Sequence, residues 1–240
     1  MRGGCGKSST AQSTANGLAL KGNKVLIIDL DPQRNTTDAY RAQSDGVATA
    51  YDLLKGEVSA AEAIQKGKDV DIIAGDKLLG VLDRQINDPL ILKNALEDLS
   101  GYDFVIMDTG PSMNMLAINA LGAADSVIIP IQADRYSIMG LSDLFENIQD
   151  AKRSFNPDLK LDGVLITRFT EQANLNKQLR AALDDLTRQA GTKLFKSVIH
   201  EGIKVKEAQA VRESLFNYAP KSRPAQDYLA FIEEWQEGSK

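Results

Sequence analysis

The chain opens MRGGCGKSSTAQ (Met1–Gln12), and the fold is decided by how these residues are read. Gly3, Gly4 and Gly6 precede Lys7 and Ser8, which start a helical pattern running to Leu20. Glycines let backbone N–H groups wrap a phosphate chain, and a helix N-terminus adds favourable partial charge. In such a loop Lys7 reaches the β- and γ-phosphates and the Ser8 hydroxyl holds Mg2+. The plain alternative is a glycine-rich turn with no chemistry. It loses ground as further motifs accumulate.

Working outward, short apolar runs alternate with longer helical patterns. Strands are expected at Lys24–Leu30, Val70–Gly75, Tyr102–Asp108, Ser126–Ile131, Asp162–Arg168 and Lys193–Ile199. These runs show little polar alternation, as parallel strands covered on both faces do. Helices are expected at Ser8–Leu20, Leu90–Leu99, Met113–Gly122, Tyr136–Arg153 and Leu175–Gln189, with Gly22 stopping the first. The alternation implies βαβ units and one α/β sheet, mostly parallel, with helices on both faces. No repeat, low-complexity tract or linker divides residues 1–240, so a single domain is expected.

Two further motifs fall at strand ends. IIDLDPQ places Asp29 and Asp31 two residues apart, on one face of an extended chain. IMDTGPS places Asp108 at the carboxyl end of its strand, where open α/β sheets bind ligands. A carboxylate after an apolar run is costly to bury without a cation, which makes Mg2+ a natural partner. A lone buried aspartate is more often a structural cap. Three at strand ends beside a phosphate loop point to chemistry.

Composition sets the outer limits. The 240 residues, 43% hydrophobic and 25% charged, can bury a substantial core. No apolar run reaches the length of a membrane span, and no basic-then-apolar leader stands at the start. A lone cysteine, Cys5, suits a reducing cytoplasm. A net charge of −5 argues against a wholesale nucleic-acid coat, yet the charge is unevenly spread. Residues 1–150 carry 13 basic and 21 acidic side chains, whereas residues 151–240 carry 15 and 12. A locally basic face on an acidic protein suits a polyanion, although solvated helix surface is the plainer reading of charge alone.

RGGCGKSST, LIIDLDPQRNTT, YDFVIMDTGPS, ADSVIIPIQADRYSIMGL and VKEAQ…NYAPKSRPAQDYLAFIEE together resemble the ParA family of partition ATPases, in the family's order and over nearly the whole chain. The resemblance implies a deviant Walker A type of P-loop NTPase fold and slow, Mg2+-dependent ATP hydrolysis. It further implies an ATP-bound sandwich homodimer that binds double-stranded DNA without sequence preference. A ParB-like centromere-binding partner would stimulate hydrolysis and release it, segregating a plasmid or chromosome from the nucleoid surface in the cytoplasm. By matched position, Gly3, Gly4, Cys5, Gly6, Lys7, Ser8 and Ser9 would bind nucleotide. Ser8, Asp108 and Asp29 would stand at the metal, and Asp31 would orient the attacking water. Arg2 takes the place of the signature lysine that reaches the partner protomer's phosphates. It keeps the charge but not the flexible stem, and a catalytic role in trans is expected. Arg180, Arg188, Lys204 and Arg212 are the DNA-binding candidates, on the basic part of the chain.

Departures from the family pattern carry expectations of their own. Family members place an apolar strand at the sheet centre directly before the loop; only Met1 stands there in this sequence, so the first central strand is expected to be lacking and stability to be poor. Gly110 replaces a common proline, Cys5 a small residue, and His200 with Glu201 a segment that usually carries an arginine near the base. His200 is expected at a pocket edge or on the surface. Two alternatives share the ATP switch: an ATPase positioning a protein cargo, and a MinD-like membrane-associated one. The tail QDYLAFIEEWQEGSK carries Glu233, Glu234 and Glu237, which anionic lipid repels, so it is expected to be a helix docked on the body, with no membrane partner. Iron–sulfur relatives need cluster cysteines that this chain lacks, and tyrosine-kinase relatives a tyrosine-rich tail.

Overall fold

The computed structural model describes residues 6–132, 134–170 and 173–238, excluding the side chains at 135, 136 and 173–177. Arg2, Gly3, Gly4 and Cys5 lie outside the described residues. The described strands are β1 (Val25–Asp29), β2 (Ile64–Gln65), β3 (Asp71–Ile73), β4 (Phe104–Asp108), β5 (Ser126–Gln132), β6 (Lys160–Phe169) and β7 (Leu194–His200). They form two sheets, ordered β2-β3-β1-β4 and β5-β6-β7. All pairings are parallel except β2 with β3.

Strand β1 shows why these residues make a central strand. All five of its positions are buried, and its side chains alternate between two cores. Val25 and Ile27 join Leu18, Phe216, Phe231 and Ile232 under the Lys7–Leu20 and Arg223–Gly238 helices. Leu26 and Ile28 join Leu53, Ile73, Leu79 and Leu116 on the opposite face. Such a strand satisfies its backbone in the ladder and both faces in packing, at about 1.5–3 kcal/mol per large side chain buried. The C-terminal helix docks as expected, with Tyr228, Phe231, Ile232 and Trp235 buried. Gly17 permits this contact, because a Cβ there would lie 2.3 Å from Ile232 Cδ1.

Some boundaries differ from the sequence reading. The helix expected over Tyr136–Arg153 is two helices, Arg135–Met139 and Leu141–Ser154, parted at Gly140. The Leu90–Leu99 pattern forms a helix only over Ile91–Ala95. Strand β2, two residues long, is too short to leave a periodic signal.

The expected single sheet is also corrected. Among the described residues β4 and β5 pair with each other nowhere, and a groove of about 1060 Å3 runs between them. Phe104–Asp108 line one wall, and Ser126, Val127, Ile128 and Pro130 the other. Leu30 N–H donates to Asp108 O and Phe104 N–H to Lys24 O. Alternation along the strand therefore turns the polar backbone of Val105 and Met107 toward the groove. Phe104, Val105, Ile106 and Met107 are only half-buried, unlike their partners on β1. This is the geometry that one further parallel strand would complete.

A version carrying five or six β-branched apolar residues ahead of Met1 is expected to melt higher, by on the order of 10 °C. Calorimetry on the two versions checks this. An unchanged midpoint would mean that the groove walls gain nothing from a ladder partner.

Candidate functional site

The site gathers at the carboxyl ends of β1 and β4 and the start of the first helix. Gly6 caps that helix with φ 83° and ψ 20°, a left-handed conformation that favours glycine. Among the described residues no side chain caps the helix and no acidic residue occupies its first turn, so its leading N–H groups face a mouth suited to an anion. A cavity of about 450 Å3 opens there, lined by Gly6, Lys7, Ser8, Ser9, Asp31 and Thr109 among others. Lys7 also reaches the end of the β4–β5 groove, which it lines together with Asp108.

Parallel register sets the carboxylates. Asp29 on β1 lies directly opposite Asp108 on β4, and both are almost wholly buried. Asp108 accepts a hydrogen bond from the Thr36 hydroxyl at 2.7 Å, and the Ser8 hydroxyl is near enough to lower its pKa. Burial pushes its carboxyl up to about 7, the Thr36 and Ser8 hydroxyls pulling down against the nearby Asp29 and Asp31 charges. Asp29 is also held above the ordinary carboxylate range, again chiefly by burial. A buried carboxylate near the Ser8 hydroxyl is a donor set that a divalent cation would bring to the ionised state. A hydroxyl and a carboxylate suit Mg2+, and Ser8 and Asp108 are the residues that would hold it.

Asp29 and Asp31 do not share a face. Strand β1 ends at Asp29, and the chain turns so that Asp31 N–H donates to Asp29 Oδ1 at 3.1 Å. Asp29 Oδ2 accepts from the Thr37 N–H and hydroxyl, at 2.8 and 2.7 Å. Asp29 thus stands behind the site with both oxygens engaged, while Asp31 faces the cavity and takes the Gln33 N–H at 2.9 Å. Gly110 lies beside it; a Cβ there would rest 3.6 Å from Asp31 Oδ1, ordinary contact distance.

Several residues of the site carried no expectation from sequence. Gln12, Gln33, Asn35, Asp38 and Gln209 line the cavity, and Gln209 donates to Ser9 Oγ at 3.0 Å. Gln33, Asn35, Thr36 and Thr37 belong to the DPQRNTT run that flanks Asp31, which was the available signal. Gln209 comes from a helix some 200 positions away, and nothing local marks it. His200 is away from both cavities: its Nδ1 lies 2.8 Å from Asp227 Oδ2 and its ring packs edge-on against Phe169.

The four DNA candidates lie apart from the cavity, except through one contact. Arg212 pairs with Asp38, at 2.6 Å to Oδ1, on the short Asn35–Ala39 helix beside Asp31. Arg180 donates to the Lys196 carbonyl at 3.1 Å, and Lys204 pairs with Glu207 at 2.7 Å. Arg188 pairs with Asp184 and Asp185 on its own helix. Among the described residues no helix is long and apolar enough to cross a membrane.

A family model described as an AAA domain matches residues 1–161. The sporulation initiation inhibitor protein Soj of Bacillus subtilis is 32% identical over 245 residues, covering 97% of this chain and 94% of that protein. The chromosome-partitioning ATPase Soj of Thermus thermophilus is 34% identical, covering 97% and 91%. Among solved structures, a putative plasmid partition protein of Borrelia burgdorferi bound to AMPPNP superposes with a TM-score of 0.78 at 26% identity, over 99% of this chain and 94% of that one.

Proposed function

The chain belongs to the AAA-domain family of the Soj and ParA partition ATPases, and on that premise we propose that it is an ATP-driven DNA-segregation switch. ATP and Mg2+ are its ligands in this reading. The observation that carries it is the buried Asp108 against Ser8 at the mouth of an uncapped, glycine-led helix. Lys7 and the leading N–H groups bind the phosphates, Ser8 and Asp108 hold the cation, and Asp31 orients water for hydrolysis to ADP and phosphate. Phosphoryl transfer asks a protein for positioning and charge neutralisation more than for covalent chemistry, and these residues supply both.

The finer parts of the reading are an ATP-bound homodimer, contact with nonspecific double-stranded DNA, and release by a ParB-like partner at the nucleoid. Residues 151–240 supply the positive surface. Their ion pairs do not oppose this role. Arg188 and Lys204 are about half exposed or more, and exposed pairs are worth about 0.2–1 kcal/mol. A DNA phosphate replaces an exposed carboxylate at little cost. The docked C-terminal helix, its apolar side chains spent on the core, supports a role away from lipid.

Fluorescence anisotropy on a random-sequence duplex, with ATP against ADP at low salt, tests this. Binding is expected with ATP only, with a log–log salt slope of about −0.9 per phosphate contacted. Arg188→Ala is expected to shallow that slope by about one contact. An ATP-dependent dimer with no affinity for duplex DNA would overturn the DNA reading and favour a protein cargo.

A further inference from the structure

We propose that Thr36 and Thr37 are positioning residues that fix the two buried carboxylates, Thr36 setting Asp108 for the cation and Thr37 locking Asp29 behind it. The inference rests on the ATPase reading and names residues of the same site.

A threonine hydroxyl has one proton to give and two lone pairs to receive with. Gln12 Nε2 donates to Thr36 Oγ1 at 2.9 Å, so the Thr36 proton is directed onto Asp108 Oδ2 at 2.7 Å. The arrangement repeats next door. Gly75 N–H donates to Thr37 Oγ1 at 2.7 Å, which directs the Thr37 proton onto Asp29 Oδ2 at 2.7 Å. Each carboxylate therefore receives a hydroxyl whose direction is set by a fixed N–H donor behind it. All four of these threonines and aspartates are buried, where water does not substitute for a lost donor. Gly75 makes the second chain possible: a Cβ there would come within 3.1 Å of Asp29 Cγ.

The physical need is plain from the register. Asp29 and Asp108 face each other across β1 and β4, and two like charges so placed repel. Locking Asp29 into the turn through Asp31 N–H, Thr37 N–H and the Thr37 hydroxyl keeps it from competing for the cation. Thr36 holds Oδ2 of Asp108, and in this proposal the other oxygen is the one offered to the cation. Partners one step behind a metal ligand typically change metal affinity by about 10–100-fold when removed.

The test compares parent, Thr36→Val and Thr36→Ser by titrating a fluorescent ATP analogue with and without Mg2+. Thr36→Val is expected to raise the Mg2+ midpoint roughly tenfold while leaving Mg2+-free nucleotide affinity unchanged, and Thr36→Ser is expected to restore the midpoint. If Thr36→Val does not give a cooperative melt, Thr36→Ala takes its place in the same comparison. An unaltered midpoint, an equal loss of binding with and without Mg2+, or failure of serine to rescue overturns the inference while the ATPase reading stands. A parent chain that binds no nucleotide in either condition overturns both.

Discussion

Replacing Asp31 with alanine is expected to lower ATP turnover at least a hundredfold while nucleotide affinity stays within about twofold of the parent. Asp31 lies on the cavity wall with Lys7, Ser8 and Ser9, and it engages Gln33 N–H through Oδ1. It takes no part in the Asp29–Asp108 register, so its removal spares the residues proposed to hold the cation. A hundredfold loss is about 2.7 kcal/mol of barrier, within the range for one group that orients a nucleophile. Single-turnover hydrolysis and equilibrium titration with a fluorescent analogue separate the two quantities. Parallel loss of binding and turnover would place Asp31 in ground-state binding instead. Turnover unchanged would remove it from the chemistry.

Asp108→Asn is expected to stabilise the nucleotide-free protein at pH 8 and to abolish its stabilisation by Mg2+ and ATP. Burial pushes the Asp108 carboxyl up to about 7 from an unfolded value of 3.8. A group whose folded pKa is raised contributes stability fully below the unfolded value and loses it as pH rises through the folded one. Above pH 7 the parent therefore holds a buried anion at a cost on the order of a few kcal/mol, which asparagine removes. The gap between variant and parent should narrow as pH falls from 8 and close below about pH 4. With Mg2+ and ATP present the order is expected to reverse, because the proposed cation site needs the carboxylate. Thermal melts across pH, with and without Mg2+-ATP, read both effects. A variant less stable than the parent at pH 8 without ligand would show that Asp108 is already neutral or compensated there.

The start of the first helix after Gly6 and the Asp108 strand end were legible because each is local, a glycine before Lys7 and an acid closing an apolar run. The turn after Asp29, which takes Asp31 off the face expected for it, was not. Register was not legible. That Asp29 faces Asp108 follows from β1 pairing β4 in parallel, a contact between residues 79 positions apart that no window of sequence contains. The roles of Thr36 and Thr37 were hidden for the same reason, since their proton directions depend on Gln12 and Gly75. Positive charge in residues 151–240 could be counted but not placed. Lys204 and Arg188 answer to acids on their own helices, Arg212 to Asp38 beside the cavity.

The most direct measurement is sedimentation velocity of the Asp31→Ala protein with Mg2+-ATP against Mg2+-ADP. A twofold rise in mass with ATP, and a monomer with ADP, is the behaviour of a nucleotide-switched clamp. A monomer in both states, with ATP demonstrably bound, would contradict it.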